Sequence, residues 1–97
     1  MTVLRKATIA KFSKKHPEAR KPLQRFLDIV RSATWCHFPA VNESFPATDY
    51  AASTGTLIFD IGGNKYRLIA EINFGRRVLF IRRIMTHKEY TKGAWKS

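Results

Sequence analysis

Between Leu23 and Val30 the apolar side chains Leu23, Phe26, Leu27 and Val30 recur at i, i+3, i+4 and i+7, the spacing of one helical face. Lys21, Gln24, Arg25, Asp28 and Arg31 take the opposite face, which predicts an amphipathic helix. Upstream, a helix from about Arg5 to Lys15 would bury Ile9 and Phe12. His16-Pro17 ends it, because proline disfavours the α region for the residue before it, and Pro17 suits the first turn of the next helix. The two helices make a hairpin. Met1 to Leu4 is either a short strand or a lead-in.

The pattern changes after Thr56. The β-rich runs Leu57–Ile61 and Lys65–Phe74 bracket Gly62-Gly63-Asn64, residues that accept the backbone of a tight hairpin turn. Along the second run Tyr66, Leu68, Ala70, Ile72 and Phe74 share one face, and Lys65, Arg67, Ile69, Glu71 and Asn73 the other. A third run, Val78 to Met85, follows a turn at Gly75-Arg76-Arg77. Helices first and a three-stranded antiparallel meander after them predict an α+β fold. Arg82 and Arg83 interrupt the last strand; as neighbours on a regular strand they would point to opposite faces, with at least one facing a functional concavity. Residues 35–56 read as a long connection with a helical turn around Val41 to Ser44, packed by Trp35, Phe38, Phe45 and Tyr50.

Composition narrows the class. The chain has 97 residues, 44% hydrophobic and 12% aromatic, which suits one ordered domain over residues 1–97. The single Cys36 excludes an intrachain disulfide and suits a reducing cytoplasm. No apolar run reaches the ~20 residues of a membrane span. Eighteen Lys and Arg against seven Asp and Glu leave +11, an excess that draws polyanions. Residues 1–33 carry +7, residues 34–56 carry −2 and residues 57–97 carry +6, so two basic blocks flank a weakly acidic connector.

The segment THKEYTK, Thr86 to Lys92, gathers an imidazole, a phenol, a carboxylate and two ammonium groups. His16, His37 and His87 are scattered without an acidic cluster, so no metal or other cofactor is expected. GGNK lacks the spacing of a phosphate loop. Metal-free RNA cleavage fits what remains, because RNA supplies its own 2′-hydroxyl nucleophile. It needs a base, an acid and cations around the phosphate. His87 suits either proton role, Arg67 and Arg82 offer forked donors to phosphate oxygens, and Tyr90 can hold the phosphate or stack on a base. Plainer roles stand beside these: a surface position for His87, core cover for Tyr90, solvated Lys88 and Lys92, and an Arg67–Glu71 pair along the strand.

FDIGGNKYRLIAEINF, then FIRRIMTHKEYTK, with FPATDY upstream and a hairpin beginning HPEARKPL, resemble HigB-type toxins of the RelE superfamily. The resemblance spans roughly residues 35–92. It implies a RelE-like fold, with the helical hairpin on a three- to four-stranded antiparallel sheet and a short C-terminal turn or helix. It also implies a ribosome-dependent endoribonuclease that cuts mRNA in the A site without a metal. A HigA-like helix-turn-helix antitoxin would neutralise it, and operator DNA would be reached only through that complex. Carried onto this chain, the catalytic positions are Arg67, His87 and Tyr90, with Lys65, Arg82, Lys88 and Lys92 binding RNA. Thr91 stands where many members carry an acid, and Ile58 and Asp60 stand where other branches carry lysines. A gyrase-inhibiting toxin of the ParE kind and a non-catalytic basic RNA- or ribosome-binding protein remain as alternatives.

Overall fold

Leu23, Phe26 and Val30 are almost completely excluded from solvent, and Leu27 nearly so, which places the apolar stripe of the second helix against a sheet. The computed structural model describes residues 1–51 and 56–93. Residues 52–55 of the long connection and the tail 94–97 lie outside them. The order is β1 (Thr2–Leu4), α1 (Ala7–Lys15), a 3₁₀ turn (Pro17–Ala19), α2 (Arg20–Ser32), α3 (Phe38–Ser44), β2 (Asp49–Ala51), β3 (Thr56–Ile61), β4 (Tyr66–Asn73), β5 (Val78–Thr86) and α4 (His87–Lys92).

β3, β4 and β5 form the expected antiparallel meander, extended by a three-residue strand at each edge to the spatial order β1-β5-β4-β3-β2. β2 is antiparallel to β3, whereas β1 runs parallel to β5. The helical hairpin covers one face. Its core joins Leu23, Phe26, Leu27 and Val30 to Leu57, Phe59 and Ile61 of β3, Leu68 and Ala70 of β4, and Leu79 and Ile81 of β5. α1 begins later than its periodicity suggests, because Arg5 takes a left-handed φ of 66° and turns the chain out of β1. Ile9 and Phe12 are half-buried against the core.

The aromatic-rich connection supplies the core's end wall. Buried Trp35 donates Nε1–H to Ser44 Oγ at 3.1 Å, fastening the chain entering α3 to its last turn. Phe45 then meets Phe26 at 5.3 Å and Phe59 at 5.2 Å between ring centroids, the edge-on and tilted contacts aromatic pairs favour.

The opposite, more open face of the sheet is covered by α4 alone among the described helices. A second, small cluster sits there, made of Ile58, Ile69 and Met85 from three adjacent strands, with Tyr90 of α4 and Ala51 packed against it. α4 therefore folds back over the face turned away from the helical hairpin.

Candidate functional site

The site begins with the β3–β4 turn. Gly62 and Gly63 both hold positive φ, 65° and 69°, a backbone that glycine adopts without a Cβ penalty. Four residues, 62–65, separate the paired Ile61 and Tyr66, so the next pair along the ladder is Asp60 and Arg67. Arg67 is in turn opposite Met85 on β5, which makes it a central-strand residue, and it is only 8% exposed.

Each nitrogen of this buried guanidinium is engaged. Nε lies 3.1 Å from Asp60 Oδ1. Nη1 donates to the backbone oxygens of Asn64 at 3.3 Å and Tyr66 at 3.1 Å. Nη2 donates to Asn64 Oδ1 at 2.6 Å and meets His87 Nδ1 at 3.2 Å. The Tyr90 ring lies under the guanidinium, 5.3 Å from centroid to Cζ, a cation–π contact. Because a guanidinium can only donate, His87 Nδ1 must accept. In the neutral imidazole the proton therefore sits on Nε2, away from Arg67.

α4 holds His87 in place. Thr86 Oγ1 accepts from the Glu89 amide at 3.2 Å, and Glu89 Oε1 accepts from the Thr86 amide at 2.9 Å, a reciprocal capping box. The hydrogen bond from the Thr86 backbone holds the Glu89 carboxyl below the usual range. The Thr86 side-chain bond and the positive charges of His16 and Lys15 act in the same direction, against a smaller opposing effect of burial. The His87 amide also donates to Lys65 O at 2.9 Å, tying α4 to the hairpin turn. Thr91 donates its hydroxyl to His87 O at 2.9 Å. Gly93 ends the helix at φ 74°.

Arg67, His87 and Tyr90 thus lie together. Lys65, Lys88 and Lys92 are exposed around them on the turn and on α4. Arg82 is set apart, further along β5, where it stacks on Phe80 at 5.7 Å and reaches Glu71 at 3.7 Å. Two expectations are corrected. Arg67 pairs with Asp60 across the ladder, leaving Glu71 to Arg82. Arg82 and Arg83 do not point to opposite faces: the register moves from Ile69↔Arg83 to Ala70↔Ile81, so Arg82 is an extra residue in β5. A β-bulge of this kind breaks the alternation. Arg83 pairs with Ile69, Arg82 touches Glu71 and Phe80, and all of these belong to the open face.

Asp60 and Asn64 are the partners that the sequence reading missed. Their signal was the length of the turn: centring it on Gly63 pairs Asp60 with Tyr66, whereas a four-residue turn pairs it with Arg67. Among the described residues no three of His, Cys, Asp or Glu gather as a metal-binding group, and no helix is long and apolar enough to cross a membrane.

A helical hairpin on one face of the sheet, with a short C-terminal helix closing over an arginine on the other, is the RelE-like arrangement. Residues 19–93 match the model of the HigB toxin family, described as the RelE-like toxic component of a toxin–antitoxin system, and the chain belongs to this family. The matched span takes in Asp60, Asn64, Arg67, His87 and Tyr90. The chain is 27% identical over 93 residues to the mRNA interferase HigB of Escherichia coli O6:H1, covering 95% of this chain and 90% of that protein. It is also 27% identical over 79 residues to the mRNA interferase toxin HigB of Escherichia coli K12, covering 80% and 76%. The mRNA interferase HigB of Shigella flexneri matches at the same identity and coverage.

Proposed function

We propose that this chain acts as one domain that cleaves translated mRNA on the ribosome, with Arg67, His87 and Tyr90 as its active site. The observation that carries the reading is the 3.2 Å contact between Arg67 Nη2 and His87 Nδ1, with exposed Lys65, Lys88 and Lys92 around it. The mRNA interferase activity named for the relatives supports it. In the reaction, the 2′-oxygen attacks the adjacent phosphorus, forming the O2′–P bond as the P–O5′ bond breaks. The 2′-hydroxyl proton passes to a base and O5′ receives a proton from an acid. The products are a 2′,3′-cyclic phosphate and a 5′-hydroxyl, and no metal or cofactor takes part.

Arg67 stabilises the charge that builds on the phosphorane oxygens. Since its nitrogens are all engaged, a phosphate oxygen reaches it by replacing a partner on Nη2. With Nδ1 occupied, His87 is neutral and offers Nε2–H only as a hydrogen-bond donor; with Nδ1 released, the ring can take up a proton there, and the imidazolium so formed can give one back. His87 is thereby the general acid or base, a role worth about 10²–10⁴-fold in rate. Tyr90 seats the guanidinium and orients the substrate beside it. Lys65, Lys88, Lys92 and Arg82 attract and hold the RNA backbone. The family's place in toxin–antitoxin systems supports a HigA-like helix-turn-helix antitoxin as partner, with operator DNA reached only through that complex, in the cytoplasm.

The test is a ribosome-containing translation mix with a defined mRNA, read by mapping new RNA ends. Wild type generates ends within translated sequence, and His87→Ala, an exposed position that leaves the core intact, lowers their formation about 100-fold or more. Equal cleavage by folded wild type and His87→Ala removes His87 from the reaction. Intact mRNA with DNA damage on expression indicates a gyrase-directed toxin. Salt-dependent RNA binding without new ends indicates a binding protein alone.

A further inference from the structure

The open face carries a second cationic cluster, centred on Phe80. This ring is half-buried, on the strand that leads to His87 but at the level of Glu71 and of Leu4 on β1. Leu4 is itself 43% exposed. The Arg5 guanidinium lies 5.3 Å from the Phe80 centroid and that of Arg82 lies 5.7 Å from it. Exposed Arg83 is paired with Ile69 on the same face.

Each arginine that touches the ring comes from an irregular backbone. Arg5 holds a left-handed φ of 66°, a region costly for a residue with a Cβ. Arg82 is the extra residue of the β5 bulge, which interrupts the ladder. A lysine stem or an ordinary strand would have shielded one aromatic side chain without either departure. Strain retained against its cost points to use, and both departures deliver a planar cation to one ring.

Flat guanidinium and aromatic groups beside positive charge fit a strand that has both flat bases and phosphates. We infer that Arg5, Phe80 and Arg82 form a stacking platform for an unpaired base of single-stranded RNA, with Arg83 beside it for the backbone. The inference rests on the reading of this face as an RNA-cleaving site, and it assigns the nucleotides flanking the scissile linkage. From Met85, opposite Arg67, back to Phe80 the strand spans roughly 15 Å at ~3.3 Å per residue, a distance of a few nucleotides. Base–aromatic stacking needs no particular sequence, so the platform holds the strand in line while leaving codon choice to other contacts.

The experiment measures binding of the full chain to a short labelled single-stranded RNA at low salt, with no ribosome and no cleavage. An abasic strand of equal length and an RNA duplex are the comparison ligands. Wild type is expected to bind the base-bearing strand about tenfold more tightly than the abasic one. Phe80→Leu, which keeps apolar cover, loses that preference, and Phe80→Trp retains it. Arg83→Ala shallows the salt dependence by about one phosphate contact. The inference is overturned if folded Phe80→Leu keeps the wild-type preference, or if wild type binds no RNA or does not distinguish the two strands. It is equally overturned if the duplex binds as tightly and without regard to Phe80, for the face would then take paired RNA. Because cleavage is not read, loss of the platform and loss of the nuclease reading are separate results.

Discussion

Asp60 is the counter-charge to a guanidinium that is nearly out of water. Its Oδ1 lies 3.1 Å from Arg67 Nε, with the two side chains 30% and 9% exposed. At about 4 Å between charge centres, such a pair is worth about 4 kcal/mol in an effective dielectric near 20. Breaking a fully buried pair by removing one partner costs about 3–5 kcal/mol. Here Asp60 is partly solvated, water can enter its place, and Nη1 and Nη2 keep their acceptors. Asp60→Ala should therefore cost about 2–3 kcal/mol. Asp60→Asn leaves a neutral oxygen opposite Nε and should cost about 1–2 kcal/mol.

Equilibrium urea denaturation would rank wild type above Asp60→Asn and Asp60→Ala last. At about 4–8 °C per kcal/mol for a domain of this size, Tm of Asp60→Ala would fall by about 10–20 °C. RNA affinity should move the other way, because a guanidinium without its carboxylate presents more charge to phosphate. If both variants unfold within about 0.5 kcal/mol of wild type, the ion pair does not hold Arg67. If affinity falls along with stability in the folded variants, Asp60 does not compete with phosphate for it.

The capping box gives a pH dependence. Because the folded-state pKa of Glu89 is lowered, its contribution is complete above the ordinary carboxyl pKa and is lost as pH falls through the lower folded value. The stability gap between wild type and Glu89→Ala, about 1 kcal/mol at neutral pH, should close in acid; a gap that persists at low pH contradicts the charge-based account. Gly93→Ala meets no atom within 4 Å among the described residues but must keep φ near 74°, so about 1 kcal/mol of backbone cost is expected in thermal unfolding. Arg67→Lys keeps the charge and loses the fork; cleavage in the translation mix should drop about 100-fold, and undiminished cleavage would show that charge alone suffices.

Local patterns carried most of the architecture. The α2 stripe is a property of eleven consecutive letters, Leu23 through Ala33 bounding its end, and the hairpin announces itself at Gly62-Gly63. Thr86-His87-Lys88-Glu89 also spells a capping box, a readable signal for the start of α4. The two edge strands were harder, because three residues have no useful periodicity and β1 finds β5 across most of the chain. The Asp60 partner turned on one residue of turn length. The Arg82 bulge left no local mark: Ile81-Arg82-Arg83-Ile84 is compatible with a regular strand until the ladder shows Ala70 opposite Ile81. The direction of the His87 proton follows only from which nitrogen Arg67 reaches, a matter of side-chain placement rather than of sequence.

Odd-and-even counting along β5 gives position 82 an unusual status. With that residue excised, Ile81 and Arg83 would become direct successors opposite Ala70 and Ile69. The ladder would close, and every remaining side chain of the strand would keep its side. Excising one residue from the middle of β4 would instead turn half of that strand inside out. The sheet can thus dispense with Arg82 by subtraction, although its neighbours are indispensable to its two-sided order. A shortened β5 would be straighter and intact, and poorer by one cation where the strand passes Phe80.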